Sequence, residues 1–168
     1  LGDKKIQTLL LGEFNQYNAL AARTVCQELG VEEFIIKKAL MNIEKVPGRL
    51  DEVREGQNFR VFVDYAHNPF SLEAVLKALT EVKPSHARII TLTGSAGGGR
   101  DKWKRPEIGK LAARYSDVVI FTTDDPYDED PAVIIDQLYE GALQVKPRAS
   151  EILKTIDRKE AIAQALRL

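Results

Sequence analysis

The strongest constraint in this 168-residue sequence is an alternation that begins near Leu50 and runs to its last residues. Short apolar, β-branched runs are each followed by turn-forming residues and then by apolar residues at helical spacing. The pattern predicts strands over 50–54 and 59–65, around the turn Glu55-Gly56-Gln57-Asn58, and then over 87–92, 118–123 and 151–156, the last at an edge. Helices are expected over 69–82 (stopped by Pro84), 106–115, 132–145 and 158–168, the last capped by Asp157. Such alternation is accommodated by helices packed on a parallel sheet with right-handed crossovers. The expected fold class is therefore α/β, with a mostly parallel, doubly wound, Rossmann-like sheet.

The first 45 residues follow another pattern. Residues 2–10 are short and β-like, and Phe14-Asn15-Gln16-Tyr17-Asn18 leads into an Ala-rich helix over 19–29, closed by Gly30. A second helix over 31–43 makes this a helical hairpin. Val46-Pro47-Gly48-Arg49 breaks the pattern, which divides the chain into residues 1–45 and 46–168.

Charge excludes some functions. With 24 Lys plus Arg against 25 Asp plus Glu, the net charge of -1 offers no field for nucleic acid or an anionic membrane. Basic residues cluster only locally, at Arg100, Lys102, Lys104 and Arg105. Cys26 has no internal partner and lies in an apolar helical pattern, as a buried thiol in a reducing compartment would. No secretory or membrane-spanning segment is evident, so a cytoplasmic location is expected. The chain has no initiator Met and reads as a piece of a longer protein.

Chemistry is expected where strands hand over to helices. Residues 59–65 read as a strand buried on both faces, followed by Ala66-His67-Asn68-Pro69 at a helix start. Ligands of open α/β sheets bind outside the carboxyl ends of the strands, and helix N-termini favour phosphate. Asp64 could there accept from a ribose hydroxyl, and His67 could meet a phosphate or a metal-bound water. The plainer alternative makes Asp64 a helix cap and His67 a turn residue. Two further loops, Gly94 to Trp103 and Asp124 to Pro131, are expected at the same sheet edge, forming one site with the first.

The glycine loop lacks the Gly-Lys-Ser/Thr of a Walker A sequence, but its glycines allow close approach and Arg100 could grip a carboxylate with both donors. A solvated basic loop is the alternative. The acidic loop holds five carboxylates without EF-hand spacing; it would attract a cation, or else Asp130 is an N-cap and the others are solvated. His67 and His86 are the two histidines, so no zinc spacing exists, and His86 beside Pro84 reads as an exposed turn residue. No Ser/His/Asp or Cys/His set has supporting context.

Five motifs in order resemble the Mur ligase superfamily: Phe14-Asn15-x-x-Asn18-Ala19-Leu20-Ala21-Ala22, Val46-Pro47-Gly48-Arg49, Asp64-Tyr65-Ala66-His67-Asn68-Pro69, Gly99-Arg100-Asp101-Lys102-x-Lys104-Arg105-Pro106 and Asp124-x-Pro126-x-x-Glu129-Asp130-Pro131. The last two are similar to the MurE type, UDP-N-acetylmuramoyl-peptide synthetases that add the third residue of the peptidoglycan stem. The resemblance implies a three-domain ligase using ATP and Mg²⁺, with a UDP-N-acetylmuramoyl-peptide and a free diamino acid as substrates. Residues 1–45 would end its central ATPase domain, and 46–168 would be an incomplete C-terminal domain working with the remaining domains of the same chain. It implies adenine near Asn15 and Asn18, the hinge arginine at Arg49, ribose at Asp64 and phosphates at His67. The amino-acid carboxylate would meet Arg100, and specificity would lie at Asp124, Asp125 and Tyr127.

The departures matter. The family's Gly-Thr-Asn-Gly-Lys-Thr loop, its UDP-sugar domain, its magnesium-carrying residues and a Gly-Lys-Gly-His-Glu-like segment do not occur here. The isolated chain is therefore expected to be inactive. Where diaminopimelate enzymes commonly read Asp-Asn-Pro-Arg, this chain reads Asp124-Asp125-Pro126-Tyr127. Uncharged Tyr127 among carboxylates favours lysine over diaminopimelate. A folylpolyglutamate or cyanophycin synthetase-like ligase, and a stand-alone nucleotide- or amino-acid-binding domain, are the competing readings.

Overall fold

The computed structural model describes residues 6–99 and 101–168, which fall into two compact units, Leu1–Tyr65 and Ala66–Leu168.

In the first unit, α1 (Glu13–Glu28) starts directly after Gly12, earlier than the sequence pattern predicts. The asparagine-bearing segment that resembles a lead-in is its first turn. Buried Asn15 makes this possible by donating from Nδ2 to the Leu11 carbonyl at 2.7 Å. At the other end the Gly30 N–H bonds to Gln27 O and the Val31 N–H to Cys26 O, with Gly30 at φ 79°, the left-handed C′ geometry that glycine adopts without strain. The second helix, α2 (Glu33–Asn42), packs its Ile36 and Leu40 with Ala19 of α1, and half-buried Cys26 lies against this cluster. Of the expected β-like run 2–10, residues 6–10 form no strand and residues 2–5 lie outside the described residues. The Leu10 N–H turns locally to Thr8 Oγ1 instead of entering a ladder.

The strands β1 (Asp51–Val53) and β2 (Val61–Val63) pair antiparallel, Asp51 opposite Val63 and Val53 opposite Val61. This corrects the reading of 59–65 as a parallel strand buried on both faces: Val63 is 52% exposed, and the pair is a sheet of its own. The loop length explains the difference. Parallel neighbours need a crossover of a dozen or more residues, whereas a short turn can only reverse the chain.

The second unit opens with α3 (Pro69–Val82), whose bounds match the expectation. Its cap is Asn68, which accepts from the Ser71 N–H at 3.0 Å, with Pro69 in the first turn. Asp64 is therefore not the cap. There follow β3 (Ile90–Thr93), α4 (Lys104–Tyr115), β4 (Val118–Phe121), α5 (Pro131–Leu143), β5 (Glu151–Lys154) and α6 (Arg158–Ala165). The sheet order is β3-β4-β5, parallel throughout, with β5 at an edge as expected. All four residues of central β4 are buried, which is why it reads as an unbroken apolar run. Val119 and Phe121 join a core with Leu76, Ile108, Ile135 and Leu138 of the helices, while Val118 and Ile120 point the other way. There α6, capped by Asp157, lies against β3 and β4.

Two glycines set the spacing of α4 and α5. A Cβ on Gly109 would lie 1.9 Å from the Leu138 carbonyl oxygen, and one on Gly141 would lie 2.2 Å from that of Pro106. The helices thus touch backbone to backbone. At the N-terminal end of the sheet, Asp117 Oδ2 accepts from the Ile89 N–H at 2.8 Å and its carboxylate meets Arg148 at 3.0 Å. Its own N–H and C=O bond to Ile89 O and the Ser150 N–H. Burial raises the Asp117 pKa, but the Ile89 N–H and Arg148 outweigh it and hold the group below the ordinary carboxylate range.

Candidate functional site

At the carboxyl end of the second unit's sheet, the loops after β3 and β4 interlock. The Gly97 N–H donates to Asp125 O at 2.8 Å, and a Cβ there would lie 2.0 Å from Pro126 O. A Cβ on Gly94 would come within 2.4 Å of Thr122 O. Glycines are needed because one main chain lies on another. Tyr127 sits over Gly98 in the left-handed region, φ 53°, with its side chain largely in solvent. Asp124 and Asp125 are exposed beside it.

An ion pair between a buried arginine and a half-buried glutamate ties the same loops together. Arg105 is 0% exposed, and its guanidinium meets both Glu129 carboxylate oxygens at 3.0 Å. It also donates to Gln137 Oε1 at 2.8 Å and to Ala96 O at 3.0 Å. Glu129 further accepts from the Gly99 N–H at 2.8 Å and meets Lys102 Nζ at 3.2 Å. Arg105, then the Gly99 N–H, then Lys102 hold its pKa down to about 2. The alternative of a wholly solvated basic loop does not hold, since Arg105 is interior and paired with Glu129. Asp130 caps α5 through the Ala132 N–H, as its alternative reading had it. The pair was missed because its partners are 24 residues apart. One signal was available: Arg105 precedes Ile108, Gly109 and Ala112 at helical spacing, on the buried stripe of α4. A charge on such a stripe requires a partner.

Arg100, expected to grip the amino-acid carboxylate, lies outside the described residues. His67 belongs to the second unit and is exposed ahead of the Asn68 cap. The other expected nucleotide residues lie in the first unit. Asn15 is buried, and its Oδ1 accepts from exposed Asn18 at 3.2 Å. Asp64 Oδ2 accepts from the Leu50 N–H at 2.7 Å, fixing a turn in which Leu50 has φ 47°. The exposed Arg49 guanidinium lies 5.4 Å from the Tyr65 ring centroid. Expectation had joined the Asp64 loop to the other two through a common sheet, but β2 is not a strand of that sheet. Among the described residues there is no group of three or more His, Cys, Asp or Glu that could hold a metal. Nor is any of their helices long and apolar enough to cross a membrane.

Residues 48–168 match the family profile described as Mur ligase, glutamate ligase domain. This chain belongs to the Mur ligase family. It is 41% identical, over 98% of its length, to the UDP-N-acetylmuramoyl-L-alanyl-D-glutamate–2,6-diaminopimelate ligase of Geobacillus kaustophilus. It is 42% identical over 97% to the ligase of that name from Syntrophomonas wolfei. It covers 32% of each, so the chain spans about a third of the length of these relatives. A solved structure of a ligase of the same name superposes with a TM-score of 0.61 at 31% identity, covering 94% of this chain and 31% of that one. The folylpolyglutamate synthase of Mycobacterium tuberculosis, complexed with ADP and AMPPCP, gives 0.72 at 22% identity, covering 96% and 35%; this likeness is one of fold alone. These relatives are named as ligases, and the fold of this chain is common to the solved structures.

Proposed function

We propose that this chain is part of an ATP-dependent ligase that joins a diamino acid to UDP-N-acetylmuramoyl-L-alanyl-D-glutamate in peptidoglycan synthesis. The observation that carries the proposal is identity of about 40% to ligases of that name over nearly the whole chain. In this reading ATP phosphorylates the dipeptide carboxylate, releasing ADP. The amine of the incoming amino acid attacks the acyl phosphate, phosphate leaves and an amide forms. The part of this chain is alignment and charge complementarity.

Arg100 would clamp the amino-acid carboxylate bidentately, leaving its amine to react. Asp124, Asp125 and Tyr127 would meet the far end of the amino acid. Exposed Asn18, steadied by Asn15, would meet the adenine, with Arg49 and Asp64 at the hinge and ribose and His67 toward the phosphates. Mg²⁺ would neutralise the transferring phosphoryl group. Its ligands would come mostly from the rest of the full-length enzyme, since the family's magnesium-carrying residues do not occur in this sequence. Residues 1–45 would close the central domain and 46–168 open the C-terminal one. The location would be the cytoplasm, where ATP and nucleotide-linked precursors are found.

Between diaminopimelate and lysine, the relatives' names favour diaminopimelate. The case for lysine also loses Glu129, whose charge is spent on Arg105 and Lys102. The test supplies the full-length enzyme with ATP, the UDP-linked dipeptide and either amino acid. Amide formation with meso-diaminopimelate is expected. A preference for lysine would restore the loop-charge argument, and no amide with either would refute the proposal.

A further inference from the structure

We infer that the Arg105–Glu129 pair is the positioning device of the amino-acid pocket, fixing the glycine loop through Ala96 and Gly99 against the loop that carries Asp124, Asp125 and Tyr127. The inference rests on the proposed function for what the pocket holds, and on the structure for the latch itself.

Geometry makes the pair more than a stabilising contact. A buried salt bridge is weak evidence for stability, because the cost of desolvating two charges offsets their attraction, and an apolar pair of similar volume often serves as well. What the fork contributes is direction: two parallel N–H···O bonds fix both planes as well as the distance. Among the described residues, apart from Gln137 of α5, the side chains of this pair bond to each other and to the segment 96–102. The Gly97–Asp125 backbone bond pins the loops at one point, about which they could still pivot. The Arg105–Glu129 fork and the Gly99 N–H on Glu129 add further points and remove that freedom. On the other strand of the lock, the Glu129 N–H closes back on Pro126 O, so the turn bearing Tyr127 is held between Asp125 and Glu129. Misplacement of a binding group by about 1 Å can cost about 100-fold in rate, so a lock of this kind would be felt at the substrate.

The test uses the full-length enzyme with Arg105→Lys and Glu129→Gln. Lysine keeps the charge but cannot fork; glutamine keeps an acceptor for the Gly99 N–H but loses the charge. KM for meso-diaminopimelate should rise by at least 10-fold in Arg105→Lys and by several-fold in Glu129→Gln. KM for ATP and for the UDP-linked dipeptide should stay within 2-fold, and the melting temperature of Glu129→Gln within a few degrees. In parallel, hydrogen exchange of the Gly97 and Gly99 amides should accelerate at least 10-fold in the variants, with β4 amides unchanged. Should Arg105→Lys not fold, Glu129→Gln carries the test. An unmoved amino-acid KM in a folded variant, or an equal loss for all three substrates, would overturn the inference. An inactive wild type would instead sink the proposed function, and unaccelerated exchange at Gly99 would then refute the latch by itself.

Discussion

Replacing Gly109 by Ala sets two physical rules against each other. Helix propensity alone favours the change by about 1 kcal/mol, since glycine is the poorer residue in a helix interior. The packing of α4 on α5 opposes it. The new Cβ would lie 1.9 Å from Leu138 O and 3.0 Å from Ala142 N, both main-chain atoms that cannot rotate away. Restoring an ordinary carbon–oxygen contact requires the helices to part by roughly 1.5 Å, which forfeits much of the dispersion attraction along their interface. Overpacking of this kind costs about 1–3 kcal/mol, and a rigid backbone obstacle belongs at the upper end. The net expectation is a loss of about 1–2 kcal/mol, equivalent to roughly 5–15 °C in Tm for a unit of this size. Circular dichroism melts and urea titrations of the 168-residue chain would measure it. Gly141→Ala should behave alike, its Cβ falling 2.2 Å from Pro106 O. The double variant should lose less than the sum, because the first substitution has already separated the helices. An unchanged or raised Tm for either single variant would show that the helices are not in backbone contact.

Acid should weaken the loop lock. Glu129 is depressed to about 2, so its contribution is complete above the unfolded value of about 4.3 and is lost as pH falls toward 2. Urea midpoints of wild type should therefore drop across that window more steeply than those of Glu129→Gln; parallel curves would contradict the assignment. Asp64→Ala should destabilise the first unit by about 1–2 kcal/mol, by orphaning the Leu50 N–H, while Asp64→Asn keeps an acceptor and most of the stability. Equal denaturant midpoints for the two variants would exclude this role. The purified 168-residue chain should not turn over ATP, since its sequence holds no Gly-Lys-Ser/Thr phosphate loop; Mg²⁺-dependent phosphate release at an enzyme-like rate would refute that. In the full-length ligase, Tyr127→Arg should lower KM for meso-diaminopimelate relative to lysine, and an unchanged ratio would show that Tyr127 does not select.

Features written in adjacent residues were legible without a structure. Asn68-Pro69 opens α3, Gly30 closes α1, and Asp130 and Asp157 cap their helices because each of these signals acts within a turn of the chain. The apolar run from Val118 likewise announced a strand. Residues 59–65 carried the same composition but the opposite outcome, since a hairpin turn decided the direction of pairing. Asn15 misled differently: an asparagine in a helix start suggests a turn, yet its amide reaches the Leu11 carbonyl and lets α1 begin sooner. For the site, the loops were legible as loops. Arg105 and Glu129 were not legible as partners, because periodicity within one helix says nothing about a carboxylate 24 residues away.

Asp117 gives the domain a structural asymmetry. By tying Ile89, Arg148 and Ser150 together, one residue sews the leading ends of all three strands into a floor that needs nothing from the opposite rim. The rim can then be rewritten with little risk to the scaffold, provided its glycines and its latch are kept. Under the proposed function, a change in the amino acid accepted would fall on the five positions from Asp124 to Asp128 and leave this floor intact.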